Sequence, residues 1–587
     1  MKQTVVITTM LASALAWPGP VFAEQVLNNF VTELLNISSR ADQDRINASF
    51  HNPREGWVFL RSELSRGGCA PVKFSVDLKP GQDGAIVHTG VGPVVQAMRY
   101  LTAGKHSVHV EISHPGRIVN LLVRTMPEIL YANFPMDPLV TSYPKYNWEF
   151  LRRIGLLDNI NTIIGSRSGE YEPYLSQWKE QGRRWIAESP VPGIQQGVKV
   201  TAEQAYAKWA GVRGISNPRL DGLIADEFYP SRRENYQAWV DAIARIENDH
   251  APKTFYPYVA GQPQGLEDFL VPLVQAGTRF AYERYLPERS TEQEAWAFIK
   301  DRLVGKMSRF NRVIPGAAEH AIVVLGILSS PPETLNKNPG TNFKVYMDMQ
   351  FNVLANDPAF VGLYGVMEYL ACYADEEYLR WAAKLYRHYC IEGNTQMLST
   401  DPYVLTHIKN PDFEQGADEW DISPASETSV TTGSLKKYGW LVMRYPNDDQ
   451  GNTFLLMKRH ANKPNVAVQQ IRNLQPGRYY SVKLISGDKY RMGTRMKHAI
   501  SISIDNVDLV ERKCFQEVFN NCWSHHAYGF DGTEHKAWFN FFFKVFQARS
   551  DTAMMTISDW AGDDEPGGPP DQELMLNFVE IEPYMMD

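Results

Sequence analysis

Histidine and cysteine are scarce in this chain. Its 587 residues include 14 histidines and 5 cysteines, with no CxxC or HExxH spacing, which argues against a structural zinc module or a zinc peptidase. Basic charge is not in excess either. The formal net charge of −8 argues against a nucleic-acid binder, which would carry a basic patch. Beyond the first 23 residues no apolar run approaches the roughly 18 residues that a membrane span requires. No Gly-rich phosphate fingerprint follows the first strand of the central region. The nearest thing to a nucleophile elbow, Gly165-Ser166-Arg167-Ser168-Gly169, has arginine at the position that needs serine.

What remains is ordinary globular composition, 44% hydrophobic and 21% charged, with a rich 12% of aromatics that suits the handling of flat apolar faces such as those of sugars. The length calls for more than one domain. Residues 1–23 have the pattern of a secretory signal: Lys2, the apolar stretch Val5–Ala16 and the small-residue ending Val21-Phe22-Ala23. The mature protein is therefore expected to be secreted or periplasmic, where disulfides form. Of Cys69, Cys372, Cys390, Cys514 and Cys522, the neighbours Cys514 and Cys522 are the expected pair, and Cys372 and Cys390 read as core residues.

Three domains follow from the rhythm of the chain. Residues 24–125 open with the helical spacing Val26, Leu27, Phe30, Val31, Leu34, Leu35 and continue as short strands separated by Gly, Pro and Asp, the pattern of an accessory β-sandwich. From residue 126 to 395 strand-like runs alternate with helical ones. Eight such pairs in about 270 residues predict a closed (β/α)8 barrel. The strands are Glu128–Phe134, Asn161–Gly165, Arg184–Glu188, Gly222–Glu227, Thr254–Val259, Arg279–Tyr285, Ala321–Ile327 and Val361–Tyr369. Residues 396–587 return to β. There the stretches NPDFEQGADEW (410–420) and NLQPGRYYSVKL (473–484), with the terminal strand Leu574–Ile581, resemble carbohydrate-binding modules of the CenC type. The resemblance implies a jelly-roll sandwich that binds glycans, and it allows a structural calcium ion. No ligand residue carries over, and Trp420 reads as a core plug.

Barrel enzymes place their chemistry at the carboxyl ends of the strands. There this chain offers Glu188 on the third, Asp226 and Glu227 on the fourth, Glu283 on the sixth and Glu368 on the eighth, among Trp185, Tyr229, Tyr258, Tyr282 and Tyr364. The seventh ends in Ser329-Ser330-Pro331-Pro332. Acids in an aromatic cleft suit glycoside hydrolysis, in which one carboxyl group protonates the leaving oxygen and another attacks or activates water. The fourth strand reads Ala225-Asp226-Glu227 and the sixth Ala281-Tyr282-Glu283. Alternation then gives Glu227 and Glu283 one facing, above Ala225 and Ala281.

Glu227 is the expected acid, Glu283 the nucleophile or base, and Asp226 a partner or a turn cap. Glu188 and Glu368 are read as a second carboxylate or as sugar hydrogen-bonders, and Trp185, Tyr229, Tyr258, Tyr282 and Tyr364 as substrate-binding. Together these features resemble a glycoside-hydrolase-type barrel of unidentified family. The largest clan of such barrels has Asn-Glu on the fourth strand and Glu on the seventh, and this chain has neither. A secreted hydrolase acting on a polysaccharide or oligosaccharide, with no cofactor required, is the expectation. The competing readings are a non-catalytic glycan-binding surface protein on a degenerate barrel, and a lyase or transglycosidase using the same acids.

Overall fold

The computed structural model describes residues 24–65, 71–77, 86–88, 93–112, 117–165, 172–261, 264–446, 449–520 and 537–586. The signal-like segment, Cys69 and Cys522 lie outside the described residues. The first domain is two antiparallel sheets. One runs Gln25–Val26, Thr32–Gln43, Arg117–Met126, Gly56–Ser65, Val94–Leu101, and the other Arg45–Asn52, Gly104–Ile112, Val72–Val76, Ile86–His88. The helix expected at its start is a hairpin instead. Asn28 turns the chain by accepting the Phe30 and Val31 amides at 2.9 and 3.0 Å, and Gln25–Val26 then pairs with Thr32–Glu33. An Asx turn thus overrides an apolar spacing that fits a helix equally well. The strand Arg45–Asn52, absent from the expected set, alternates buried Ile46, Phe50 and Asn52 with exposed neighbours.

The larger of these sheets has two apolar faces. Val58, Leu60, Val95, Leu121 and Val123 fill the sandwich interior. Trp57, Phe59, Met98 and Met126 belong to the core that wraps the barrel. This domain is therefore packed onto the barrel along a broad hydrophobic face, and the chain passes straight from Met126 into the first barrel strand.

The barrel closes as expected from eight parallel strands in chain order: β1 (Glu128–Phe134), β2 (Thr162–Gly165), β3 (Arg184–Pro190), β4 (Gly222–Phe228), β5 (Thr254–Val259), β6 (Phe280–Arg284), β7 (Ala321–Gly326) and β8 (Gly365–Tyr369), the last pairing with β1. Runs such as Ala321–Gly326, buried at every position, form strands because both faces are covered, inside by the barrel core and outside by helices. Leu130, Ile164, Ile186, Ile224, Tyr256, Ala281, Ile322 and Met367 fill the interior. The amino-terminal end is plugged by the Glu128 carboxylate, which accepts from Thr162 (2.5 Å), Tyr256 (2.7 Å) and Tyr364 (2.7 Å).

In the last region a four-stranded sheet (Asp421–Ser423, Val466–Ile471, Ala553–Ser558, Ser501–Asp505) faces a larger one containing Val430–Ser434, Thr453–Lys458, Glu573–Pro583, Tyr479–Asp488 and Trp538–Ala548. Both sheets contribute to one core. Trp420 plugs it, 5.1 Å from Phe413 and donating to the Asn410 carbonyl at 3.1 Å. The outer face of the larger sheet packs against Val140 and Tyr143 of the barrel. Cys372 and Cys390 are buried and unbridged, and Cys514 is a free thiol. Its sulfur donates to the Val510 carbonyl at 3.4 Å; the expected Cys514–Cys522 pairing falls on Cys522, outside the described residues. No described helix is long and apolar enough to cross a membrane.

Candidate active site

At the carboxyl end of the barrel, side-chain parity along each strand decides which residues reach the opening. On β6, Ala281 points into the barrel and Tyr282 into the helix layer, so Glu283 points inward. On β4, Ile224 points in and Ala225 out, so Asp226 points in. The expected layer of Ala225 beneath Glu227, matched to Ala281 beneath Glu283, therefore does not exist, because the two alanines lie on opposite faces.

Glu227 reaches the site by another route. The register of β4 against β5 shifts between Ala225 and Phe228, and Glu227 has φ = +67°, the left-handed region that side chains other than glycine rarely adopt. A bulge with a strained residue at a strand end re-aims its side chain, and such strain concentrates at functional sites. A second bulge, between Tyr131 and Phe134 on β1, sets Asn133 at φ = +58°.

The resulting shallow hollow is lined by Asn133, Glu188, Asp226, Tyr258 and Tyr369 over a floor that includes Ala132, Ile164, Ile224 and Met367. Tyr369 stacks on Tyr285 with ring centroids 5.8 Å apart. The hydroxyls of Tyr258 and Tyr285 are 2.7 Å apart. Glu283 adjoins this wall. Burial, then the negative charge of Glu227, and to a lesser degree that of Asp226, push its carboxyl from an ordinary 4.5 up to about 7, although the Tyr258 hydroxyl donates to it and Arg284 stands nearby. Burial and a hydrogen bond to Glu227 raise the Tyr229 phenol, which thus stays a donor to that carboxylate.

A raised carboxyl costs the folded state stability at high pH. Below the unfolded value near 4.5 nothing is lost, and the cost grows as pH rises and is complete above about 7. Glu283→Gln is therefore expected to stabilise the protein at pH 8 by up to about 3 kcal/mol, the free-energy equivalent of the shift. The gain should vanish below pH 5. Equal melting shifts at pH 5 and pH 8 would contradict the burial of an ionised Glu283.

Four residues expected at the mouth are elsewhere, and parity or height in the barrel explains each. Trp185 is 0% exposed and packs in the helix layer against Phe134 (5.7 Å), because Ile186 takes the inward position on β3. Tyr282 also faces the helices, 4.9 Å from Phe310. Glu368 follows the inward Met367 and so points outward, where its amide donates to the Tyr386 hydroxyl at 3.1 Å. Burial alone raises its carboxyl to about 8. Tyr364 lies inside the barrel but at the opposite end, bound to Glu128. The sequence reading missed Asn133, whose only local sign is an Asn at a strand end, a residue type that tolerates positive φ.

Among the described residues no cluster of three or more His, Cys, Asp or Glu could hold a metal ion. In the C-terminal module a set of converging carbonyl oxygens is filled by a side chain. The Arg459 guanidinium, 1% exposed, donates to the carbonyls of Asp559, Pro566 and Ala499 and to Gln572 Oε1. Arg459→Met should strip these buried acceptors of their donors and cost about 3 kcal/mol or more, at the 1–3 kcal/mol typical of each orphaned group. A melting midpoint within a degree of the parent's would refute this.

No family model matches the chain, and no curated protein does. Solved structures resemble it weakly. A ruminal GH26 endo-beta-1,4-mannanase is 9% identical, covering 62% of this chain and 90% of its own, with a TM-score of 0.27. A Paenibacillus sp. cycloisomaltooligosaccharide glucanotransferase complexed with cycloisomaltoheptaose is 10% identical over 94% of this chain and 72% of its own, TM-score 0.31. A GH2 beta-galacturonidase from Eisenbergiella tayi bound to galacturonate is 8% identical over 62% of this chain and 97% of its own, TM-score 0.31. Likenesses of this size assign no activity to this chain, and the chemistry has to come from its own residues.

Proposed function

We propose that the chain is an exported glycoside hydrolase that cuts a polysaccharide or oligosaccharide with two carboxyl groups, Glu283 as general acid and Glu227 as nucleophile or base. The observation that supports it is the pairing at the mouth. Glu283, a buried inward carboxyl raised to about 7 by burial and then by the charge of Glu227, shares the mouth with that second carboxyl, which sits on a strained bulge. Two carboxyl groups whose surroundings push their protons apart divide into an acid and a base. These roles reverse the expectation from sequence, which gave the proton to Glu227.

In the cycle Glu283 gives its proton to the glycosidic oxygen as the C–O bond breaks, and Glu227, or a water it deprotonates, supplies the electron pair to the anomeric carbon. Tyr229 donates to Glu227 and holds it in place. Asp226 adds the negative charge that helps Glu283 keep its proton. Tyr258 and Tyr369 offer ring faces, and Asn133 and Glu188 hydrogen-bonding groups, to a sugar in the hollow. The N-terminal signal pattern is the ground for export, and the resemblance of 396–587 to glycan-binding modules agrees with a polymeric substrate.

The test is release of reducing ends from a panel of polysaccharides by the full chain and by Glu227→Gln and Glu283→Gln. Activity in the parent with losses of about 100-fold or more in both variants is expected. Activity unchanged in both, or none in the parent, would leave a glycan-binding scaffold as the better reading.

A further inference from the structure

The segment Met443–Tyr445 belongs to the C-terminal module by its packing, since Met443 lies in the cluster on the outer face of that module's larger sheet, yet it is bonded to a hairpin at the barrel's mouth. After β7 the chain makes a small hairpin, Ser329–Ser330 paired with Glu333–Thr334. The Thr334 amide donates to the Met443 carbonyl at 2.8 Å, and the Tyr445 amide donates to the Thr334 carbonyl at 2.9 Å. The hairpin is tied in turn to the barrel, with the Leu335 amide donating to Leu328 at 2.9 Å and the Thr334 hydroxyl to the same carbonyl at 3.2 Å.

From the module side, Arg444 fixes the segment. It is buried and forks onto both Asp412 oxygens at 2.6 Å, and Asp412 also accepts the Phe578 amide at 3.0 Å. A bidentate Arg–carboxylate pair of this kind sets direction as well as energy. Tyr445 is thus held from both sides, and its ring packs against the hydrophobic layer around the barrel.

We infer that Tyr445 is a substrate-contacting wall of the barrel's active site, supplied by the C-terminal module, and that it helps to select the glycan. This rests on the hydrolase reading above. Through its bonds to the hairpin after β7 the residue is seated at the carboxyl end of the barrel, and the charges of Glu283, Glu333 and Glu227 reach its phenol. It is partly buried, with a share of its surface open to solvent, and among the described residues no side chain pairs with its hydroxyl. An aromatic ring with an unengaged hydroxyl offers a sugar both an apolar face and a polar handle. The module then completes the cleft, beyond any role in tethering the enzyme to a polymer.

The experiment uses the full chain with Tyr445→Ala and Tyr445→Phe, whose melting points should match the parent's. Hydrolysis is followed on hexasaccharides of β-1,4-linked mannose, glucose, xylose and galactose and of α-1,6-linked glucose. Binding of the same probes is measured by calorimetry in the Glu283→Gln background. Tyr445→Ala should lower kcat/KM about tenfold on the best substrate, the equivalent of one lost aromatic contact of about 1.4 kcal/mol. It should weaken binding in the inactive background by a similar factor and change the ranking of the five probes. Tyr445→Phe, which keeps the ring, should recover part of the loss. Unchanged kcat/KM, affinity and ranking in Tyr445→Ala overturn the role of Tyr445 and leave the hydrolase standing. Binding that depends on Tyr445 in a chain that hydrolyses nothing overturns the hydrolase and keeps the wall. Neither hydrolysis nor binding of any probe overturns both.

Discussion

Glu283→Gln is expected to lower kcat/KM by about 10²–10⁴ on a glycan, the usual contribution of a positioned acid, and by far less on an aryl glycoside with a dinitrophenolate leaving group. The first departing oxygen is a poor leaving group and needs the proton that Glu283 holds; the second departs as a stable anion. Glu227→Gln should cripple both substrates alike, because the attack on the anomeric carbon does not depend on the leaving group.

The pH profile follows from the same assignment. Parent activity should hold up to neutral pH, where Glu283 keeps its proton. It should fall as pH passes about 7, where Glu283 loses its proton. In Glu283→Gln the falling limb should disappear. A variant equally impaired on both leaving groups, or one that keeps the alkaline limb, would take the proton away from Glu283 and with it the division of roles proposed for the pair.

That pair was visible in the sequence for a reason only half correct. The barrel itself is legible because strands buried on both faces read as short apolar runs between longer amphipathic ones, and β5, Thr254–Val259, has the limits its residues suggest. The same double burial hides which face of a strand looks inward, since Ile186 and Trp185, or Ala281 and Tyr282, are equally apolar. Trp185, Tyr282 and Glu368 were misplaced on that account. Strict alternation would also have turned Glu227 away from the opening. A bulge brings it back, and a bulge is a backbone event that a run of Ile, Ala, Asp and Glu does not announce. The hairpin at Asn28 was missed for a related reason, because the helical spacing of its apolar residues is equally consistent with a turn between two strands. Tyr445 lies beyond any local reading. Its place depends on a hairpin after β7 and on the Arg444–Asp412 fork, which meet only when barrel and module dock.

That docking rests on buried charge, and Lys483→Met should expose its importance. Lys483, on the module strand Tyr479–Asp488, is 2.6 Å from Glu580 and 3.8 Å from Glu582 with all three side chains buried. Glu582 also takes Lys344 of the barrel helix Phe343–Asn356 at 2.9 Å and the Tyr378 hydroxyl at 2.9 Å. Glu580 accepts from Asn336 at 2.7 Å. Methionine fills similar space but leaves two carboxylates in the seam short of a cation, and breaking a buried pair in this way costs about 3–5 kcal/mol.

The sign of the pH dependence is fixed by what remains. Lys483 has a raised value, chiefly through Glu580 and Glu582 against the cost of burial. Its own contribution is therefore fully present below the ordinary lysine range near 10.4 and gives no slope between pH 5 and pH 8. Glu580 is already raised by burial even with its partner in place. Without that partner it should rise further, so the variant should be weakest at pH 8 and recover toward pH 5 as the carboxyls take up protons. Adding Glu580→Gln should restore part of the loss at pH 8. Urea unfolding followed by tryptophan fluorescence reads all three. A deficit below about 1 kcal/mol at pH 8, or one that is the same at pH 5, would mean that the seam is held by its apolar contacts and that its ions are bystanders.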